Sequence, residues 1–153
     1  FAARDVTATD FTNGSVAVTS AGSNTVVLAD TATNNGADTI YGFAAGAVAG
    51  GGDVLDLSAY LGAAVSSITI NGSDGNADNV VNANVVIQTN NAAATDTIVW
   101  KASSKYVLVQ DNGTDTTVSY VTTDGAGAVA STTTVATLVG VNDVSAFVAA
   151  NLV

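Results

Sequence analysis

SKYVLVQDNGTDTTVSYVTT, residues 104–123, reads as two strands around a turn. SKYVLVQ and TTVSYVTT are alternating runs rich in valine, tyrosine and threonine. The DNGTD between them is the kind of aspartate, asparagine and glycine cluster that reverses a chain. This is the clearest hairpin in the sequence, and its texture recurs on both sides. SVAVTS and NTVVLADT lie before it, separated by AGSN, and SSITING, NVVIQTN and DTIVWKA are further strand candidates. STTTVATLVGV follows it after the loop TDGAGAV.

Composition points the same way. Valine (24), isoleucine (5) and threonine (21) make up about a third of the 153 residues, and β-branched side chains favour a pleated sheet over a helix. The expected class is mainly β, an antiparallel β-sandwich with one short C-terminal helix. That helix would lie in NDVSAFVAANLV, with a cap at Asn142 or Asp143 and apolar residues at Val144, Phe147 and Val148. DVLDLSAYLG suggests a further helical turn with Asp53 or Asp56 at its start. Residues 1–33 read as N-terminal strands or an extended arm, and 34–153 as the sandwich domain. No period of fixed length repeats, so a solenoid is not expected. The chain opens on Phe1 with no basic and apolar leader, which reads as a processed product or a fragment.

Three basic residues against 13 acidic ones give a net charge of −10, the wrong sign for holding a phosphate backbone, so no nucleic-acid partner is expected. No apolar run approaches the roughly 18 residues of a spanning helix, and membrane insertion is not expected either. All 13 acidic residues are aspartate, and histidine, glutamate, cysteine, methionine and proline are missing. Triads built on histidine or cysteine are therefore impossible, as is an HExxH zinc site, and no DTG or DSG phrase occurs. Two aspartates suffice for glycoside hydrolysis, but with 13 of them some pair always falls near enough, so spacing alone carries no signal. AGGGD is followed by no GK[ST] and reads as a linker rather than a phosphate cradle. The expectation is a non-enzyme.

Aspartate without histidine suits a hard cation, which takes oxygens from carboxylates, carbonyls and amides. Four stretches have this look. They are NNGAD with Asp38, GGGDVLD with Asp53 and Asp56, NGSDGNAD with Asn71, Asp74, Asn76 and Asp78, and DNGTD with Asp111 and Asp115. None is an EF-hand, and the same residue types also simply make turns in a β protein. These aspartates are the candidate metal ligands, and calcium is the expected cofactor.

GADTIYGF (36–43) fits the second half of a GGxGxDxUx repeat, with Gly36, Asp38 and Ile40 in register. DTIYGF followed by GDVLDLSAY resembles the phrase that comes after such repeats in RTX proteins of bacterial type I secretion and related surface-layer proteins. YVLVQDNGTDTTVSYV and TLVGVNDVSAFVAANLV are similar to the last strands and uncleaved terminal segment of that family. With a single copy of the repeat, and Thr33 and Asn34 in place of the leading glycines, no β-roll is expected. The resemblance implies the short sandwich that caps a roll, with Ile40, Phe43, Leu55 and Leu57 in its core and Asp38, Asp53 and Asp56 as calcium ligands. It also implies export by type I machinery.

Two functions follow as expectations. The first is a secreted, calcium-stabilised structural protein of the cell exterior or bacterial surface, self-associating into a lattice or filament. The alternative is a non-catalytic, calcium-binding export module of a larger secreted enzyme or adhesin. Trp100 and Phe147 are expected in the core or at an interface.

Overall fold

A computed structural model describes residues 5–7, 15–17, 22–70, 77–89 and 98–153. Its strands run β1 (Asp5–Thr7), β2 (Ser15–Ala17), β3 (Thr25–Val27), β4 (Asp38–Tyr41), β5 (Val54–Asp56) and β6 (Ser67–Ile70). They continue with β7 (Asp78–Asn79), β8 (Val85–Gln88), β9 (Ile98–Val99), β10 (Lys105–Asp111), β11 (Thr116–Thr123) and β12 (Val129–Val139). Two single helical turns, α1 (Ala32–Asn35) and α2 (Ser58–Leu61), interrupt them. The mainly β expectation holds, and every strand read from the sequence falls on or overlaps one of these.

The hairpin of residues 104–123 is β10 and β11, paired from Lys105 with Thr122 to Asp111 with Thr116. β12 adds antiparallel to β11, with register shifts after Val118 and Thr122. All the other ladders are parallel. Sheet order is β2-β4-β12-β11-β10-β8-β6 in a seven-stranded sheet, β1-β3-β5 in a three-stranded one and β7-β9 in a pair. The sandwich is thus built from mixed sheets, and antiparallel pairing is confined to its centre.

The parallel ladders correct one reading. From β1 to β5 the chain alternates between the three-stranded and the seven-stranded sheet, and from β6 to β10 it alternates between the seven-stranded sheet and the β7-β9 pair. These are coils, which the lack of a fixed period argues against in the sequence; they leave no period because their lengths differ. Asp5 pairs with Thr25 and Thr25 with Val54, whereas Ser67 pairs with Val85 and Val85 with Val107.

Side-chain alternation in the shared sheet explains where the core sits. Val107, Val109, Val118, Tyr120, Ile40 and Leu138 lie on one face and join Val26, Leu55 and Leu57 in the main cluster. Tyr106, Val86 and Val121 point to the other face, where they pack with Val80, Ile98 and Trp100. Trp100 meets Tyr106 edge-on at 4.8 Å, and Phe43 stacks on Phe147 at 5.7 Å, so both aromatics singled out in the sequence are packed residues. The C-terminal segment takes two 3-10 turns, Val144–Ala146 and Ala149–Asn151, with Phe147 and Val148 extended between them. Val144, Phe147 and Leu152 are buried by it, and Leu152 bridges Leu55 as one more parallel step beside β5. A continuous helix would not leave this tail extended enough to pair.

Gly52 is where this fold tolerates least. A Cβ built there would lie 2.1 Å from the Gly46 carbonyl oxygen, whereas one at Gly50 meets nothing within 4 Å. Gly52→Ala should cost about 1–3 kcal/mol by overpacking, and Gly50→Ala should be neutral or stabilise by up to about 1 kcal/mol. Urea midpoints of the two variants measure the contrast.

Candidate functional site

The aspartates singled out as cation ligands act in the fold mainly as acceptors for backbone N–H groups. Asp53 is 2% exposed, and both its oxygens are occupied. Oδ1 accepts from the Asn24 backbone N (2.8 Å) and Asn24 Nδ2 (2.7 Å), and Oδ2 accepts from the Ala44 N (2.8 Å). Asn151 completes the knot. Its Nδ2 donates to the carbonyls of Asp53 (2.6 Å) and Gly46 (2.7 Å), while its Oδ1 accepts from Gly46 N and Val148 N. These bonds tie the start of β3, the glycine loop before β5 and the C-terminal segment together.

A second buried knot forms around Asn35 at the end of α1. Its Oδ1 accepts from Ala29 N, and its Nδ2 reaches Val135 O at 2.8 Å and Asp38 Oδ2 at 3.1 Å. The nearby Thr31 hydroxyl caps the turn by accepting from Asn34 N. Asp56 accepts from Ser58 N at 2.9 Å and so starts α2, as the sequence suggested.

At the far end of the hairpin, Asp111 accepts from Gly113 N and from Val144 N, and Asp115 accepts from Gly140 N. Asp78 lies in β7 opposite Ile98. Asp74, with Asn71 and Asn76, lies outside the described residues. Among the described residues no three carboxylates come together as a group able to hold a metal ion. The sequence missed the roles of Asn24, Asn35 and Asn151. Asn24 and Asn151 are single asparagines that read as turns, and Asn35 sits in NNGAD, which reads as a turn or a cation site.

On the face above β11, Tyr60 and Tyr120 stack with centroids 3.7 Å apart and planes 4° from parallel. The Tyr60 hydroxyl donates to Val121 O and the Tyr120 hydroxyl to Ala29 O. Burial pushes the Tyr120 hydroxyl far above the usual tyrosine range, with Tyr60 and Asp30 adding to the rise, and burial also raises Tyr60. Asp143 moves the other way, because the Ser145 side chain and backbone N–H both bond to it.

No helix among the described residues is long and apolar enough to cross a membrane. Comparison with family models, curated proteins and solved structures finds no match to this chain.

Two expectations follow from this geometry. Asp53→Ala strands three N–H donors, each costing about 1–3 kcal/mol, and should lower the melting temperature equally in calcium and in chelator. A loss confined to calcium would make Asp53 a cation ligand instead. The tyrosine pair sets an alkaline limit. Both hold their protons more tightly folded than unfolded, so the associated stability is intact below about pH 10 and is lost as pH rises above it. Urea midpoints should fall from about pH 10 upward, and less steeply in Tyr60→Phe.

Proposed function

We propose that the protein is a secreted, self-assembling structural subunit of the cell exterior, each copy extending the seven-stranded sheet of the last into a filament or surface lattice. The observation that carries this reading is the direction of the strands. Through the ladder sequence β2-β4-β12-β11-β10-β8-β6, every strand except β11 points the same way. The two edge strands, β2 and β6, are therefore parallel to each other, at opposite ends of one sheet.

A parallel pair of edges suits head-to-tail addition. Setting β6 of one copy beside β2 of the next makes another parallel ladder, the pairing that both sets of coils already use. Such a contact is heterologous and does not close on itself, and with the natural twist of a sheet it generates a helical filament. A two-fold contact between identical edges would instead have to be antiparallel.

Among the described residues the edges also lack the usual protection. Lysine, proline and inward-pointing charge blunt most natural edge strands. β2 reads SVA and β6 reads SITI, without a charge between them, and Ser15, Ala17, Ser67 and Thr69 are exposed. Calcium enters the proposal as a stabiliser at turn aspartates. Asp56 and Asp115 are half-buried and each commits one oxygen to a backbone N–H.

The test is electron microscopy of the purified chain beside Ala17→Lys and Thr69→Lys, each dialysed against calcium and against chelator. The unmodified chain should form fibres or sheets. Either exposed-edge lysine should leave the monomer folded and abolish assembly, because a charge at the joint is desolvated. Dispersed particles from the unmodified chain in both conditions would sink this reading and leave the export module.

A further inference from the structure

Both basic residues within the described part of the chain line one cavity. Lys101 and Lys105 border a groove of about 490 Å³ between β10, the loop before β8 and the end of α2. The third basic residue, Arg4, lies outside the described residues. That volume is within the about 300–1,000 Å³ usual for small-ligand clefts. In a chain of net charge −10, two lysines at one cleft are a concentration of its scarcest charge. No aspartate is among the described residues that line it.

Among the described residues neither ammonium is paired with a carboxylate. Lys105 Nζ lies 5.0 Å from the centroid of the Tyr60 ring and donates to the Tyr60 carbonyl at 3.4 Å, contacts that hold the cation without neutralising it, and Lys105 also borders a smaller cavity lined by Asp30 and Tyr60. The Lys101 backbone is anchored instead, its N donating to the Tyr106 hydroxyl at 2.9 Å and its carbonyl accepting from Thr123 Oγ1 at 2.6 Å.

The rest of the lining selects the ligand. Ser66 Oγ donates to Asn82 O and Ser104 Oγ donates to Ala102 O, so each hydroxyl has spent its proton and presents lone pairs as acceptors. Asn84 is committed to Ser66 N and Ala64 O, whereas the exposed Asn82 side chain keeps both a donor and an acceptor. Leu61, Ala63 and Val81 add an apolar strip. Two cations, acceptors for hydroxyl protons and an apolar strip match a sugar ring that bears a carboxylate. Backbone N–H nests and the fork of arginine, which give phosphate sites their geometric specificity, are not seen among the described lining residues, although lysine also binds phosphate as a point charge.

We propose that this groove binds a carboxylate-bearing saccharide, a uronic-acid unit, with Lys101 and Lys105 on the carboxylate and Asn82, Ser66 and Ser104 on the hydroxyls. Screening over about 8 Å at physiological salt limits the reach of aspartates outside the lining. The site stands whether or not the chain assembles through its sheet edges.

The test is an NMR titration of the whole chain with trigalacturonate, with neutral galactotriose as control, beside Lys101→Gln, Lys105→Gln and Lys101→Arg. Expected are saturable shifts centred on Asn82, Lys101 and Ser104 with the acidic sugar alone. Each Gln variant should weaken binding about tenfold at unchanged melting temperature, and Lys101→Arg should restore it. Equal response to the neutral sugar, or no saturation, overturns the proposal. So does a shift of the same residues on simple dilution of the protein, which would assign the lysines to carboxylates of a second copy.

Discussion

Everything in this fold depends on side-chain amides and carboxylates that satisfy buried loop backbone. Parallel coils exact a particular cost. Each coil must carry the chain from one sheet to the other and back, and the connecting backbone then lies against the core with N–H and C=O groups that no ladder reaches. Asp53 and Asn151 meet that need at one end of the sandwich and Asn35 meets it at another, each by bonds to main-chain atoms far away in sequence. Leaving such groups unpaired costs about 1–3 kcal/mol apiece, comparable to burying a large apolar side chain. The polar knots are therefore as much a part of the core as the valines around them.

The same constraint accounts for the odd composition. A carboxylate on a short stem reaches a backbone N–H two or three residues on, or clamps a neighbouring loop, and glutamate's longer and more mobile stem does this less well. Aspartate fills both roles here. Asp143 and Asp124 close local turns, Asp56 starts α2, and Asp111 and Asp115 hold the segment after β12 against the hairpin end. A chain that uses its acids this way gains little from matching them with lysine.

The hairpin was legible in the sequence because its signal is local. The first strand, read as alternating, is in fact unbroken and apolar from Tyr106 to Val109, and the structure gives the reason: the central strands are covered on both faces, so alternation gives way to continuous hydrophobicity. Asp56 at the head of α2 and the packing of Trp100 and Phe147 were legible for the same cause. Strand direction was not. A three-residue strand such as SVA or TVV carries no mark of whether its partner is parallel, and coils of unequal length leave no period to detect. The buried asparagines were also hidden, since their partners lie up to 105 positions away. What marked aspartates as a class was visible; which atoms they would serve was set by tertiary structure.

One consequence joins the architecture to the proposed role. The antiparallel centre, β10-β11-β12, has an odd number of strands, so β10 and β12 emerge pointing the same way. Coils are then added outward on each side by parallel pairing alone, and the two edges of the sheet inherit a common direction. Had the meander contained two strands or four, the edges would oppose one another, and head-to-tail addition would have required an antiparallel joint unlike those formed by the coils themselves. The single reversed strand β11 thus sets the polarity of the molecule. It does so from the part of the sequence where strand pairing is most strongly encoded, which makes the direction of both edges a property of the fold's most robust element.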